Sequence, residues 1–288
     1  YYVLTADHHL VDGATGTCNQ LNFSSWASRQ LVLDSLEYWH STMGVDRFRF
    51  DLAPVLGRDP DPARRDDWGR QRQFFTDHPL LTSVRNLSLV EGFEIIAEPW
   101  DLWGNEVGNF PAGWLEWNGR FRDAVRRFLK GDGNTSEFTF EFNGQTLNNG
   151  RPGLPRSINF VDAHDGFTMF DLVSFTTKHN HQPYPFGPSD GGADENLSWD
   201  SGLDHRLRRT RWRNSWLVVF LARGIPMVVS GDEYGRTQNG NNNPWDLNHV
   251  ALWNNWAQAG ANAPTRVAVD PANPGPVGPS YYDVVGRT

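Results

Sequence analysis

The sequence has little cysteine, no long apolar run and no excess of basic residues. Cys18 stands alone among 288 residues, which excludes an intrachain disulfide, and we expect it to be an inert core thiol. No apolar run approaches the roughly 20 residues that cross a bilayer. The formal net charge of −8 argues against nucleic acid or an anionic membrane as the main partner, because either would repel an acidic chain. A neutral ligand fits better.

Motifs for phosphate or metal chemistry are missing as well. No GxxxxGK[ST], GxGxxG, HExxH or EF-hand spacing occurs, so we expect no cofactor and no metal. The loops at residues 131–134 and 239–246 are rich in Asp and Asn and could hold calcium, but ordinary turn chemistry explains them at least as well. The chain begins on Tyr1, and its N-terminus lacks the layout of a signal peptide. The compartment therefore stays open, with the cytoplasm favoured. The sequence does not indicate the oligomeric state.

Helices and strands alternate along the chain, and 38% hydrophobic residues suffice for a core. Strands are predicted at residues 45–52, 93–100, 156–166 and 225–233, and helices at 28–44, 68–77, the end of 101–131 and 204–224. This order predicts an α/β fold with a mostly parallel sheet and crossover helices. Residues 257–288 are dense in Ala, Pro and Gly, which predicts a poorly ordered tail.

Three predicted strands carry an acid at their C-terminal side, namely Asp51, Glu98 and Asp165. In a parallel α/β barrel these strand ends lie on one face, where catalytic groups come from several strands. We therefore expect the three acids to converge. His164 adds a hydrogen-bond donor beside the third acid.

The neighbours of the first two acids predict different ionisation states. Side chains alternate along a strand, so Arg49 and Asp51 share one side, and the arginine favours an ionised, nucleophilic Asp51 in a pocket that otherwise disfavours charge. Glu98 follows the apolar residues 95–97 and precedes Pro99, so we expect burial to raise its pKa, which suits a proton donor near neutral pH. The alternatives are a buried ion pair that serves only packing, and an exposed strand-end glutamate.

A nucleophilic carboxylate, a protonated carboxylic acid and a third acid are what glycoside hydrolysis uses. A metal site is the competing interpretation, since Asp, Glu and His clusters also bind cations. The 13 Trp, 18 Phe and 7 Tyr could line a sugar site, although most of them are expected to fill the core.

The segments around the acids resemble the isoamylase and glycogen-debranching branch of the α-amylase superfamily. "GVDRFRFDLA" resembles the nucleophile strand of that family, "IIAEPWD" its acid/base strand and "INFVDAHDG" its third-acid strand. The resemblance covers about residues 1–256. It implies a TIM-type (β/α)8 barrel, present only from about the fourth strand onward.

The resemblance also implies the reaction, which is hydrolysis of α-1,6 branch linkages in glycogen or amylopectin by a retaining route without an organic cofactor. By position, Asp51 is the nucleophile, Glu98 the acid/base and Asp165 the acid that binds sugar hydroxyls.

Three further residues are implied as contacts of a branched α-glucan. Arg49 orients Asp51 and keeps it charged, His164 donates a hydrogen bond to the sugar, and Trp100 stacks on a glucose ring.

Two departures from the family pattern affect these expectations. The family's DxVxNH motif is absent, so we expect the first three barrel strands to be missing and the isolated chain to be poorly stable and weakly active or inactive. Arg47 replaces the usual glycine and is expected to crowd a close-packed turn.

Two other functions remain open at the level of sequence. One is another α-glucan hydrolase or a transglycosylase of the same superfamily, because the acid motifs are shared. The other is a non-catalytic glucan-binding protein, against which the retention of all three acids argues.

Overall fold

A computed structural model describes residues 1–5, 7–58, 69, 72–148, 156–202, 204–254 and 256. Contacts divide the chain into two units. The first unit is Tyr1–Asn118 with Thr146–Ile158, and the second is Gly119–Gln145 with Asn159–Thr288. The predicted tail at 257–288 lies outside the described residues. Among the described helices, none is long and apolar enough for a bilayer span.

Helices and strands alternate as the sequence predicts. The helices are α1 (Trp26–Ser41), α2 (Pro79–Glu91), α3 (Gly119–Lys130), α4 (Thr135–Phe142), α5 (Gln145–Asn148) and α6 (His205–Leu221), and the strands are β1 (Arg47–Phe50), β2 (Glu94–Ala97), β3 (Trp100–Asp101), β4 (Gly104–Asn105), β5 (Leu115–Trp117), β6 (Ser157–Asn159) and β7 (Ile225–Pro226).

The first unit is built on a parallel sheet with the strand order β1, β2, β5, β6. Phe48 and Phe50 of β1 pack against the core cluster, which contains the buried Ile95 of β2 and Trp114. The alternate residue, Arg49, lies on the other side of the strand. The predicted division of β1 into an apolar and a charged side is therefore confirmed.

Helix α2 packs into this core, although no helix was predicted at its position. Its start is marked by Pro79 at the first turn and by the ring of His78, which accepts a hydrogen bond from the Leu80 amide at 3.2 Å. Its end is marked by Gly92, whose φ of 86° is left-handed. The strand β5 was not predicted either, because its three residues are too few to show a period.

In the second unit, the helix predicted at the end of 101–131 is present as α3, and its Phe121 and Val125 are fully buried. The long helix α6 begins where expected, with Asp204 accepting a hydrogen bond from the Leu207 amide at 2.9 Å. The predicted strand at 225–233 is wrong in length, since only β7 is extended.

Two further expectations are wrong, and a third is right only in part. Cys18 is exposed rather than in the core. The helix predicted at 68–77 does not reach residues 73–77, where Phe74 forms a β-bridge with Arg58, but Gly69 and Arg72, the described residues before them, are helical. Arg47 does not crowd a turn, because it points outward and pairs with Glu94 on β2 at 2.6 Å.

Candidate active site

Adjacent parallel strands place Asp51 and Glu98 side by side. In the register of β1 and β2, Phe50 lies opposite Ala97, and each acid follows directly. The backbone continues the pairing beyond the strands, since the Glu98 amide donates to the Phe50 carbonyl at 3.0 Å. The predicted convergence of these two acids is therefore present within the first unit.

A strained turn after Asp51 aims a backbone donor at Glu98. Leu52 has a φ of 44°, which is uncommon for a residue with a branched side chain. Its amide donates a hydrogen bond of 2.8 Å to Glu98 Oε2. The turn thus ties the first acid's loop to the second acid.

One arginine lies within ion-pair distance of both Asp51 and Glu98. Arg49 Nη2 lies 2.9 Å from Glu98 Oε2 and 3.5 Å from Asp51 Oδ1. Its guanidinium also lies over the ring of Trp117, 4.4 Å from the centroid, which fixes the plane of the group. The expectation that Arg49 accompanies Asp51 holds, but the shorter ion pair is with Glu98.

The two acids differ in burial. Glu98 is 4% exposed, and its pKa is raised to about 7, chiefly because burial penalises the charged form. A hydrogen bond to Asp51 and the charge of Asp51 raise this pKa further, whereas the Leu52 amide and Arg49 lower it. The Asp51 side chain is 74% exposed, so the expected pocket around that acid is wrong. Asp51 is open to solvent beside a buried glutamate whose pKa is raised.

Trp100 lies on β3, next to this pair in sequence, and is half-buried. Its ring centroid is 6.4 Å from that of Trp117. Asp101, the next residue, is held by the buried Arg58 through Nε at 2.5 Å and Nη2 at 2.9 Å. This ion pair fixes the segment after Glu98. Sequence reasoning missed it because the partners are 43 positions apart.

His164 and Asp165 belong to the second unit. Both are exposed, and His164 Nε2 lies 3.5 Å from Asp165 Oδ2. The third predicted strand ends at Asn159, so Asp165 follows it after a loop rather than directly. Asp165 lines a cleft of about 560 Å³ within this unit. Its convergence with the first two acids stays a prediction.

A second pair of acids in the same unit was missed by sequence reasoning. Asp162 and Asp232 are both 0% exposed. Burial raises the pKa of each, and the charge of Asp232 raises that of Asp162 further. Arg126, buried close by, has its pKa lowered to about 9 by burial. The alternation of polar and apolar letters in "NFVDAHDG" gave no sign that Asp162, rather than Asp165, points into the core.

Among the residues that the structure describes, no group of three or more His, Cys, Asp or Glu side chains is placed to hold a metal ion.

No family model matches the chain. Among curated proteins, it is 39% identical over 276 residues to an isoamylase of Flavobacterium sp, covering 91% of this chain and 35% of the relative. It is 38% identical over 279 residues to a glycogen operon protein GlgX homolog of Mycobacterium tuberculosis, covering 91% of this chain and 36% of the relative. An isoamylase of Pseudomonas amyloderamosa is 35% identical over 280 residues, with coverages of 88% and 36%.

Solved structures of pullulanases show the same fold. The pullulanase from Bacillus acidopullulyticus aligns with a TM-score of 0.63 at 22% sequence identity, over 90% of this chain and 29% of its own. The chain spans about a third of the length of the curated relatives it matches. Over that part, its sequence is similar to proteins named isoamylase and glycogen operon protein GlgX homolog.

Proposed function

We propose that this protein hydrolyses α-1,6 linkages of a branched α-glucan by a retaining, two-step route. The support is the arrangement in which Arg49 contacts both an exposed Asp51 and a buried Glu98. Relatives named isoamylase and glycogen debranching enzyme, and pullulanase structures complexed with maltotriose, point to the same substrate class.

In the first step, Glu98 gives its proton to the glycosidic oxygen while Asp51 attacks the anomeric carbon. A pKa of about 7 keeps a large fraction of Glu98 protonated near neutral pH. Asp51 is exposed and therefore reachable by a polymer, and Arg49 favours its ionised form. The bond to the leaving sugar breaks as a glycosyl ester forms on Asp51.

In the second step, the deprotonated Glu98 takes a proton from water, and that water displaces Asp51 from the sugar. The same carboxyl serves as acid and then base, which is most efficient when its pKa lies near the working pH. Short separation is needed for this pair, about 5–5.5 Å in retaining enzymes. The shared contact with one guanidinium nitrogen supports such a separation.

We assign the remaining contacts from the family resemblance. Asp165 binds sugar hydroxyls, His164 donates a hydrogen bond to the sugar, and Trp100 stacks on a glucose ring. Trp100 is half-buried beside Trp117, which suits a ring that offers one face. No organic cofactor is needed, because the two carboxyls supply both acid–base and nucleophilic groups.

We also propose that the strands β1, β2, β5, β6 and β7 are the fourth to eighth strands of a (β/α)8 barrel. The nucleophile then follows the fourth strand, the acid/base the fifth and the third acid the seventh. The parallel order of β1, β2, β5 and β6 and the pullulanase-like fold support this numbering. Under it, weak turnover by the 288-residue chain alone stays our prediction.

The first experiment compares Glu98→Gln with Glu94→Gln, a glutamate on the same strand that is exposed and pairs with Arg47. Release of reducing ends from pullulan should fall by about 10²–10⁴-fold in Glu98→Gln and stay near the parent level in Glu94→Gln. Equal turnover by parent and Glu98→Gln would remove Glu98 from its role. Release from linear amylose but not from pullulan would favour an α-1,4 hydrolase.

The second experiment does not require Glu98 to donate a proton. Glu98→Gln is incubated with α-maltosyl fluoride, whose leaving group needs no protonation. Loss of fluoride as Asp51 forms the ester should add a maltosyl mass to the protein, located by peptide mapping at Asp51. Fluoride release without any adduct, together with an inverted product, would contradict the retaining route. Binding without release would indicate a glucan-binding protein.

A further inference from the structure

The cleft in the second unit is polar, and its lining balances three arginines with the acids Asp123, Asp165 and Glu195. Each arginine is already engaged. Arg122 pairs with Asp123 at 2.7 Å, Arg127 pairs with Glu137 at 3.3 Å, and Arg126 donates to the backbone carbonyls of Val161 and Asn196. A neutral, hydroxyl-rich ligand suits such a cleft better than an anion.

A network of buried amides fixes the loops beside this cleft. Asn180, Asn196 and Asn242 are each at most 5% exposed. Asn180 Nδ2 donates to Asn242 Oδ1 at 3.0 Å, and the backbone N–H of Asn242 donates to Asn180 Oδ1, also at 3.0 Å. Asn242 Nδ2 donates to Asn196 Oδ1 at 2.9 Å. Since satisfied buried networks are rigid, residues 189–196 and 238–245 hold a defined shape.

Asp171 holds the loop at residues 238–245 in place through hydrogen bonds. It is fully buried and accepts hydrogen bonds from the hydroxyl of Thr237 and from the amide of Gln238, the latter at 2.7 Å. The same loop is tied at its tip, where the His179 amide donates to the Gly240 carbonyl at 2.7 Å. The segment that leads to Trp245 therefore starts from a fixed base.

Trp245 is a large aromatic side chain that is exposed to solvent although its indole nitrogen is hydrogen-bonded. Its residue is 72% exposed, yet its indole Nε1 donates to Asp190 Oδ1 at 3.2 Å. Asn243, which lines the cleft, donates from Nδ2 to the Asp190 carbonyl at 2.7 Å. Asp190 thus couples the indole to the lining of the cleft. An exposed ring whose polar edge is already bonded offers a free apolar face.

We propose that Trp245 is a stacking platform for a glucose ring of the α-glucan, and that Asp190 is the positioning residue that orients it. The inference rests on the proposed function and deepens it by naming a substrate contact of the second unit. A flat indole face complements the weakly polar face of a pyranose, while ring hydroxyls reach the amides of the cleft. Fixing the ring in advance lowers the entropy cost of binding.

The test measures maltohexaose binding by isothermal titration calorimetry in the Glu98→Gln protein, so that turnover does not consume the ligand. Replacing Trp245 with Ala should weaken binding about 10-fold, and Trp245→Phe, which keeps a ring but not the N–H, should weaken it less. Asp190→Ala should weaken binding while leaving Trp245 present. The matched control is Trp253→Ala, another tryptophan of this unit, 62% exposed, whose indole has no hydrogen-bond partner among the described residues.

Unchanged affinity in Trp245→Ala, or an equal loss in Trp253→Ala, would overturn the platform. Absence of maltohexaose binding by a protein with Trp245 intact would overturn it too. These outcomes are distinct from failure of the proposed function, which is read from pullulan hydrolysis in the parent protein. With Glu98 present, the Trp245→Ala change should raise KM and leave kcat nearly unaltered, which loss of structure would not do.

Discussion

Asp51 and Glu98 in the first unit, and Asp162 and Asp232 in the second, are both pairs of neighbouring carboxyls beside an arginine. Burial raises the pKa of Glu98 and of both acids in the second pair. The two pairs differ in the solvent exposure of their carboxyl groups. The Asp51 side chain is 74% exposed, whereas Asp162 and Asp232 are sealed at 0%.

A raised pKa therefore occurs both at Glu98, the proposed proton donor, and at a pair of acids with no exposed surface. Two buried carboxyls cannot both ionise beside each other, so the second pair keeps a proton for structural reasons. The first pair keeps a proton on Glu98 while leaving its partner open to a ligand. The proposed reaction needs both a proton and access for the sugar, and of the two pairs only the first offers both.

The largest expected effect is on turnover. Asp51→Asn removes the proposed nucleophile and should reduce pullulan hydrolysis at least about 10³-fold, near the upper part of the range for acid–base groups. Asp162→Asn should leave turnover within about twofold, because no substrate reaches that side chain. Rates are measured as reducing ends released at a fixed protein concentration.

A matched control for Asp51→Asn is Asp46→Asn, since Asp46 has a side chain that is 82% exposed and lies near β1. Its turnover should equal that of the parent. Similar losses in Asp46→Asn and Asp51→Asn would mean that surface charge, rather than the nucleophile, limits the rate.

The next effect is the pH dependence that Glu98 confers. Its pKa rises from 4.5 to about 7, so the folded state holds a proton that the unfolded chain releases. This stabilisation is fully present below pH 4.5 and is lost as the pH rises to 7, by about 3 kcal/mol in the free energy of unfolding. Urea unfolding across that range should show the decline, and Glu98→Gln should flatten it. In the parent, kcat/KM should fall above pH 7 as the acid loses its proton.

A smaller effect, on the melting temperature, is expected at the fully buried pair Asp162 and Asp232. The raised pKa of Asp162 means that the folded state is destabilised as the pH rises toward that pKa. Asn at this position is neutral and can donate to Asp232. Asp162→Asn should therefore raise the melting temperature at pH 8 by about 3 °C and change it little at about pH 3, below the ordinary pKa of 3.8. A lower melting temperature at pH 8 would show that the pair does not share a proton.

The smallest effect is expected from the outer arginine of β1. Arg47 pairs with Glu94 at 2.6 Å, but both side chains are more than half exposed. Arg47→Ala should change the free energy of unfolding by less than about 1 kcal/mol and leave turnover unchanged. Arg49→Ala provides the comparison, because it removes the ion pair with Glu98 and should lower turnover strongly.

The parts of the site that are local in sequence were predictable. The period of two along β1 placed Arg49 and Asp51 on one side, and the apolar letters before Glu98 indicated its burial. Helices α1, α3 and α6 were predictable because each carries several turns of apolar spacing.

The parts that depend on tertiary contacts were not predictable. The exposure of Asp51 depends on how the strand end emerges from the sheet, and the alternation rule says nothing of that. The pairing of Asp162 with Asp232 joins residues 70 positions apart in sequence. Cys18 lies in a loop where its backbone is left-handed, with a φ of 62°, and its amide donates to Asp12, features that no sequence pattern showed. Strand β5 is too short to carry a signal.

The most direct measurement is the titration of Glu98 by carbon-detected NMR of the side-chain carboxyl, assigned by its absence in Glu98→Gln. A midpoint near 7 is predicted, falling when Asp51 is replaced by Asn, because that change removes both the hydrogen bond and the repulsion that raise the pKa. A midpoint near 4.5, unaffected by Asp51→Asn, would contradict the proton-sharing pair on which the proposed reaction depends.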